Sequence, residues 1–247
     1  MIESVEGIIL SEKSYRETSK ILKILTKDYG IISAIAKGAK QVKSPLRSVT
    51  GKMIYGNFYL VYKKDKLSVL TNVDVLDHFK NIKTDIDRIS YASFLLELSE
   101  QVTKQNPDPT IYSILISGIK KIDEGFNPMV ITNIIELKYL DYLGVMPNLD
   151  SCSICGAKTG IVTLSSSAGG YLCKNCIRHN EHNVSNKAIK LIRLFYYVDI
   201  SKIDKLEIKE SLEREINTFL DEYYEMYTGL YLKSKEFIKN LNKIVKE

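Results

Sequence analysis

The alternation of apolar and polar positions in the first third of the chain predicts β-strands. Five such runs, separated by short polar turns, cover residues 5–10, 20–26, 31–36, 53–62 and 67–75. Parallel neighbours require crossover helices, for which these turns leave no room, so the pattern predicts an antiparallel sheet. Five short antiparallel strands favour a small closed barrel of the OB type, although an open sheet or a split barrel would show the same pattern.

From Thr84 onwards the apolar positions recur at helical spacing. Thr84 is placed to cap the first long helix, as the first residue of a capping box. Ser185 and Ser234 are predicted to cap two further helices, and other helices are predicted to end at Gly125, Gly144 and Gly229. Strands followed by helices indicate an α+β fold. We therefore expect an OB-fold domain over residues 1–80 and an α-helical domain over residues 81–247.

Four cysteines form two C-x-x-C pairs, Cys152 with Cys155 and Cys173 with Cys176, and 17 residues separate the pairs. This spacing is typical of zinc sites, because each short loop turns two thiolates onto one ion. The residues between the pairs predict a hairpin, so we expect a zinc ribbon over residues 148–181, inserted between helices. Four thiolates fill a tetrahedral zinc ion and leave no position for a catalytic water, which indicates a structural site.

Other interpretations of the cysteines remain open. An iron–sulfur cluster can use the same four ligands. Free buried thiols are also possible, whereas a thioredoxin-like redox pair would accompany a βαβ unit, which the pattern lacks. His179 and His182 follow the last cysteine and could replace one of the thiols. Because four thiols are present, we expect both histidines in an exposed loop.

The chain has 247 residues and a formal net charge of +5. Residues 1–80 contain 14 basic and 8 acidic residues, so the whole positive excess lies in the predicted barrel. A loop over residues 37–47 contains four cations and no acid: Lys37, Lys40, Lys43 and Arg47. Such a loop can follow a phosphate backbone, and the strand aromatics Tyr55, Phe58 and Tyr59 could stack on bases. The alternatives are a solvated lysine-rich loop and aromatics that fill the barrel.

Motifs of several enzyme classes are absent from the sequence. It contains no Walker A loop, no H-E-x-x-H, no G-x-S-x-G and no G-x-G-x-x-G. His179-Asn-Glu181 has the H-x-E of zinc deaminases, but it follows the cysteines, and no proline precedes either pair. We therefore expect a protein that is not an enzyme. The N-terminus lacks the basic start and long apolar run of a secretory signal, which predicts a cytoplasmic protein without disulfides.

Several motifs, taken in order, resemble the RecO family of bacterial recombination mediators over essentially the whole chain. These motifs are V-E-G-I-I-L at 5–10, Tyr15-Arg16-Glu17, the turn at 26–30, A-K-G-A-K at 36–40, E-L-K-Y-L-D-Y-L-G-V-M-P at 136–147, the C-x-x-C pairs and G-L-Y-L-K-S-K at 229–235. The resemblance implies an N-terminal OB domain, a helical C-terminal domain and a zinc ribbon.

The resemblance also implies a function. It implies binding of single- and double-stranded DNA, annealing of complementary strands and, with RecR, loading of recombinase onto strands coated by the single-stranded-DNA-binding protein. The protein would then act in the bacterial cytoplasm, at the nucleoid. The resemblance implies DNA contact through Lys37, Lys40, Lys43 and Arg47. It places the acidic C-terminal tail of the single-stranded-DNA-binding protein near the helix that ends at Gly144, with Lys138 as the cation. The rival hypothesis is a zinc-ribbon adaptor that binds only protein.

Overall fold

Five strands close into a barrel at the start of the chain. In the computed structural model, which describes residues 2–177 and 184–244, they are β1 (Ile2–Tyr15), β2 (Ser19–Thr26), β3 (Gly30–Ala36), β4 (Tyr55–Val61) and β5 (Ser68–Asp77). Their order is β1-β2-β3-β5-β4, and pairing of β4 with β1 closes the barrel. The predicted OB-type barrel is confirmed.

One strand pair departs from the antiparallel prediction. β3 and β5 run parallel, with residues 34–36 opposite residues 68–70. The prediction considered only strands that follow each other directly in the chain. In the chain, β4 comes between β3 and β5 and runs in the opposite direction to both. β3 and β5 can therefore pair in parallel when the barrel closes, without a crossover helix. The other four pairs are antiparallel.

The barrel interior is filled by the side chains that alternate inward along each strand. Its buried residues include Val5, Ile9, Leu22, Ile24, Ile32, Ala34, Phe58, Leu60, Leu70 and Val73. The pairing of β1 with β2 shifts register between Ile9 and Ser11. Such a bulge bends a strand and increases its twist. β1 can therefore pair with β4 through its first half and with β2 through its second half.

Seven α-helices and one hairpin follow the barrel among the described residues. The helices are α1 (Lys80–Lys83), α2 (Ile86–Gln105), α3 (Pro109–Glu124), α4 (Pro128–Tyr142), α5 (Asn186–Tyr197), α6 (Glu210–Tyr227) and α7 (Lys233–Ile244). The hairpin consists of β6 (Ile161–Ser165) and β7 (Gly170–Cys173), and lies between α4 and α5. No helix in these ranges is both long and apolar enough to cross a membrane.

Two predicted helix caps were wrong, by one residue at α2 and by two residues at α7. Asp85, not Thr84, caps α2, and its carboxylate accepts from the backbone N–H groups of Asp87 and Arg88. Thr84 instead ends the single turn of α1, which the pattern did not reveal. At the last helix, α7 begins at Lys233, and the backbone N–H and hydroxyl of Ser234 donate to the Glu97 carboxylate on α2.

The chain forms two compact units. The first consists of Met1–Gly125 and Leu232–Glu247, and thus contains the barrel, α1 to α3 and α7. The second is Phe126–Tyr231, and contains α4 to α6 and the hairpin. This division differs from the domains expected over residues 1–80 and 81–247, with the ribbon over 148–181, which stay a prediction. In the first unit, α7 packs against α2 although the two are far apart in sequence.

A partly buried carboxylate joins the barrel to α3 within the first unit. Glu6 on β1 accepts hydrogen bonds from the hydroxyls of Tyr55 on β4 and Tyr112 on α3, the latter at 2.8 Å. The Tyr55 hydrogen bond has the largest effect on Glu6 and, together with Tyr112, holds the pKa of Glu6 below its ordinary value against the opposing effect of burial. Burial and the bond to Glu6 raise the pKa of Tyr55 to about 12.

Replacing Tyr112 with phenylalanine should reduce the free energy of unfolding by about 1.5–3 kcal/mol, since it removes a hydrogen bond to a charged group. Chemical denaturation followed by circular dichroism measures this loss. Tyr62→Phe is the control, because the Tyr62 hydroxyl has no hydrogen-bond partner in the described ranges. The extra loss of unfolding free energy in Tyr112→Phe, relative to Tyr62→Phe, should become smaller as the pH falls through the lowered pKa of Glu6. Below that pKa the carboxylate is protonated, and the stability that its charged form adds is lost. Equal losses in both variants would contradict the role of Glu6.

Candidate metal centre and nucleic-acid interface

The four cysteines meet at one point of the second unit. Cys152 and Cys155 lie in the loop after α4, Cys173 ends β7, and Cys176 lies in the turn that follows. Their sulfur atoms all lie within 4.8 Å of one another. The Sγ atoms of Cys155 and Cys173 are 3.6 Å apart. Sulfurs at about 2.3 Å from a tetrahedral ion are about 3.8 Å apart, so this cluster can bind a metal ion.

Each cysteine pair sits in a tight backbone turn. In the first turn, the N–H of Gly156 donates to the carbonyl of Cys152 at 2.9 Å, and the N–H of Cys152 donates to Ala157 at 2.8 Å. In the second turn, the N–H of Ile177 donates to Cys173 at 3.1 Å. Gly156 has a φ of +73°, a left-handed conformation that glycine adopts without strain. The two turns thus present their thiols to the same point.

The thiols influence one another strongly. Backbone hydrogen bonds, first from Cys155 and then from Cys173, lower the pKa of Cys152 to about 6 against the opposing effect of burial. Hydrogen bonding with Cys155 raises the pKa of Cys176 to about 12. Four sulfurs at these distances cannot all ionise without a cation between them, because like charges repel. The donor set therefore fits a cation that binds thiolates.

The hairpin is held against its surroundings within the second unit. The Ser166 hydroxyl donates to Glu222 on α6 at 2.8 Å, and the Tyr227 hydroxyl donates to the carbonyl of Ser167 at 3.3 Å. At Gly170 the backbone approaches Asn148 so closely that a Cβ atom would lie 2.5 Å from its carbonyl oxygen. The hairpin and the first cysteine turn are thus packed together without room for a side chain. His179 and His182, expected in an exposed loop, lie outside the described residues.

The basic loop of the barrel is anchored by its backbone. The N–H of Lys40 donates to the carbonyl of Thr18 at 2.8 Å, and the Thr50 hydroxyl donates to Leu46 at 2.6 Å. Ala39 and Leu46 are buried in the barrel core. The four cations all point outward and are exposed: Lys37, Lys40, Lys43 and Arg47. The structure therefore holds the backbone of this loop in place and leaves its charged side chains in solvent.

These four cations have no ion-pair partner within residues 2–177 and 184–244. Other lysines of the barrel do: Lys20 pairs with Glu12, and Lys23 pairs with Glu100 of α2. The loop thus concentrates charge that the chain itself does not neutralise. Such uncompensated cations raise the local potential and attract polyanions.

Two of the three strand aromatics, Tyr55 and Phe58, are buried and cannot stack on bases. Phe58 is fully buried in the barrel, and Tyr55 is buried with its hydroxyl on Glu6. Phe58 packs in the barrel interior, whereas Tyr55 lies on the opposite face of β4 and is buried near Tyr112 of α3. The alternative interpretation, that the aromatics fill the barrel, is therefore confirmed for Phe58 only. Tyr59 is partly exposed, and its hydroxyl donates to Asp74 at 2.7 Å.

The structure adds one cation to the surface beside the basic loop. Arg16 lies in the β1–β2 turn, two residues before Thr18, which accepts from Lys40. Its guanidinium lies over the ring of Tyr15, 5.3 Å from the ring centroid. Arg16 is far from the basic loop in sequence and is followed by an acidic residue, Glu17. The sequence around Arg16 therefore gave no indication that it lies beside the loop.

Lys138, the residue expected to bind an acidic partner tail, lies on α4. Its ammonium donates to the carbonyl of Tyr196 on α5 at 2.7 Å. Burial lowers the pKa of Lys138, and nearby Asp199 acts in the opposite direction. The side chain is thus half-buried and holds α4 and α5 together. Its contact with a partner stays a prediction.

Comparison with known proteins covers both halves of the chain. Residues 1–79 match the family model described as Recombination protein O N terminal, and residues 83–236 match Recombination protein O C terminal. The DNA repair protein RecO of Listeria monocytogenes serotype 4a is 33% identical over 245 residues, which cover 98% of this chain and 96% of the relative. The DNA repair protein RecO of Bacillus subtilis is 34% identical over 244 residues, which cover 98% and 95%. The chain therefore belongs to the RecO family of DNA repair proteins.

Proposed function

We propose that this protein is a DNA repair and recombination mediator that binds single- and double-stranded DNA and anneals complementary strands. The observation that carries the proposal is the loop of four exposed, unpaired cations on an anchored backbone. Curated relatives that match along the full length carry the name DNA repair protein. An OB-type barrel with a cationic groove is a common device for holding single strands.

The mechanism rests on charge neutralisation. Two complementary strands repel each other through their phosphates, and this repulsion slows their approach. Lys37, Lys40, Lys43 and Arg47 would replace the counterions of a bound strand, so that a second strand meets less negative charge. The cations contact phosphates, which position a strand without reading its sequence. On this proposal the protein acts by binding and not by catalysis.

We propose zinc as the metal of the four-cysteine cluster. Cys152, Cys155, Cys173 and Cys176 would each supply one thiolate, and four thiolates complete a tetrahedral ion. When bound, zinc would stabilise the hairpin and would offer no open position to a substrate. An iron–sulfur cluster with the same ligands would be recognised by its visible absorption and iron content.

The partners are proposed by membership in the family. RecR would act together with this chain to load a recombinase onto single strands coated by the single-stranded-DNA-binding protein. The acidic C-terminal tail of that protein would bind near the end of α4, where Lys138 lies. These activities would take place in the bacterial cytoplasm, at the nucleoid.

Annealing of two complementary oligonucleotides, followed by fluorescence at two salt concentrations, tests the proposal. We expect the protein to accelerate annealing at low salt. The acceleration should fall steeply at higher salt, because counterion release drives binding to phosphates. Neither acceleration nor binding at low salt would contradict the proposal and favour the rival, a zinc-ribbon adaptor. That rival has one structural feature in its favour, the 52% exposed side chain of Ile154 between the first two cysteines.

A further inference from the structure

The outer face of α5 in the second unit is positively charged. Lys187, Lys190 and Arg193 are all exposed, and the helix contains no acidic residue. At 3.6 residues per turn, positions 187, 190, 193, 194 and 197 fall within about a third of the helix circumference. The buried residues lie on the other side: Ala188, Ile189, Ile192 and Phe195. The cations therefore share one continuous, outward-facing surface.

The charge of this face is not neutralised by the chain. Neither Lys187, Lys190 nor Arg193 has an ion-pair or hydrogen-bond partner in the part of the chain that the structure describes. In the same unit, α6 contains six acidic residues and a single cation, Arg214, which pairs with Glu210. The positive face of α5 is therefore a local feature and does not follow from the charge of the unit as a whole.

Two large apolar side chains stand among these cations. Leu194 is 56% exposed and Tyr197 is 65% exposed. The ring of Tyr197 meets that of Tyr196 edge-on, with centroids 4.9 Å apart and an angle of 72° between the planes. This contact supports the Tyr197 ring while most of the side chain stays in solvent. An exposed aromatic ring beside cations is the combination that binds bases and phosphates of single strands.

We propose that the outer face of α5 is a second nucleic-acid-binding surface, with Lys187, Lys190 and Arg193 on the phosphates and Tyr197 stacked on a base. The face extends for about 15 Å along the helix axis from residue 187 to residue 197. A row of three cations matches the regular charge of a phosphate backbone, whereas an acidic peptide needs a cation beside an enclosed pocket. The inference rests on the proposed function, because annealing requires two strands and the barrel loop supplies one surface.

The test compares two double variants of the full chain. Lys187→Gln with Lys190→Gln removes two cations of the α5 face. Lys202→Gln with Lys205→Gln is the matched control, since both lysines are exposed in the same unit but pair with Asp199 and Glu207. Binding of a single-stranded oligonucleotide is measured over a range of salt concentrations. For the α5 variant we expect a salt dependence shallower by about 1.4 in log–log slope and annealing slower by about tenfold.

Tyr197→Leu provides an independent measurement. It keeps an apolar side chain and removes no charge, so we expect about tenfold weaker binding with an unchanged salt slope. Melting temperatures establish that each variant is folded. If wild type anneals strands and both α5 variants behave like the control, the inference is wrong and the proposed function stands. If wild type neither binds nor anneals DNA, both fail. If the α5 variants lose only binding of an acidic peptide probe, the surface is a protein-docking site and the inference is overturned.

Discussion

Replacing Lys37 and Lys40 with glutamate should abolish binding of single-stranded DNA at moderate salt. Both side chains project from an anchored backbone, so the change should leave the fold intact. Each lost phosphate contact to a single strand should lower the log–log salt slope by about 0.7, and the two new carboxylates add repulsion. Binding measured by fluorescence anisotropy over a salt series checks both effects, and an unchanged melting temperature shows that the fold is retained.

A matched control distinguishes the effect of the basic loop on DNA binding from the effect of net charge. Lys64 and Lys66 are exposed in the turn between β4 and β5, and their replacement with glutamate changes the charge of the barrel by the same amount. We expect this control to bind nearly as well as wild type. If both double variants lose affinity equally, binding reflects overall charge, and the placement of the site on the basic loop is wrong.

Replacing Cys152 and Cys155 with serine should destabilise the second unit. The buried cluster around the cysteines is small, with Cys152, Leu172 and Cys173 at its centre. So small a core buries little apolar surface, and the zinc proposed above would add stability, since structural zinc sites contribute about 10–16 kcal/mol of apparent binding free energy. We expect loss of bound zinc, a melting temperature lower by more than about 10 °C, and retention of DNA binding through the barrel loop in the first unit.

Metal analysis by mass spectrometry and thermal unfolding measure these effects. Lys158→Ala is the control, because Lys158 is an exposed residue of the same loop and supplies no sulfur. A strong chelator should reproduce the loss of stability in the wild-type protein and leave the cysteine variant unchanged. If the cysteine variant keeps both its melting temperature and its stoichiometric zinc, the assignment of the four thiols to a structural metal is wrong.

The cysteine site was visible in the sequence because its geometry is local. A two-residue gap brings two thiols to one side of a tight turn, so each half of the site forms within five residues, such as Cys152 to Gly156. The hairpin between the halves was equally local. The sequence did not show that the two cysteine turns would lie side by side. That arrangement depends on the close approach of Gly170, at the start of β7, to Asn148, which precedes the first turn.

For the basic loop, the sequence showed the charges but not their surroundings. Its four cations were evident, yet the sequence could not show that Tyr55 and Phe58 would both be buried, because they lie on opposite faces of β4 and Tyr55 is buried near Tyr112 of α3, a distant segment. It likewise could not connect Thr18 with Lys40, or Lys138 with the carbonyl of Tyr196. These contacts join residues that are distant in the chain, and they form only when strands and helices pack.

By itself, the sequence determined the five strands, most helix ends, the two cysteine turns and the cluster of loop cations, because spacing, capping and short turns act over a few residues. Only the tertiary structure decided the parallel pairing of β3 with β5, the return of α7 to the first unit and the uncompensated positive face of α5. The physical reason is that burial and charge pairing depend on which distant segments come into contact. Barrel closure and helix packing together determine those contacts.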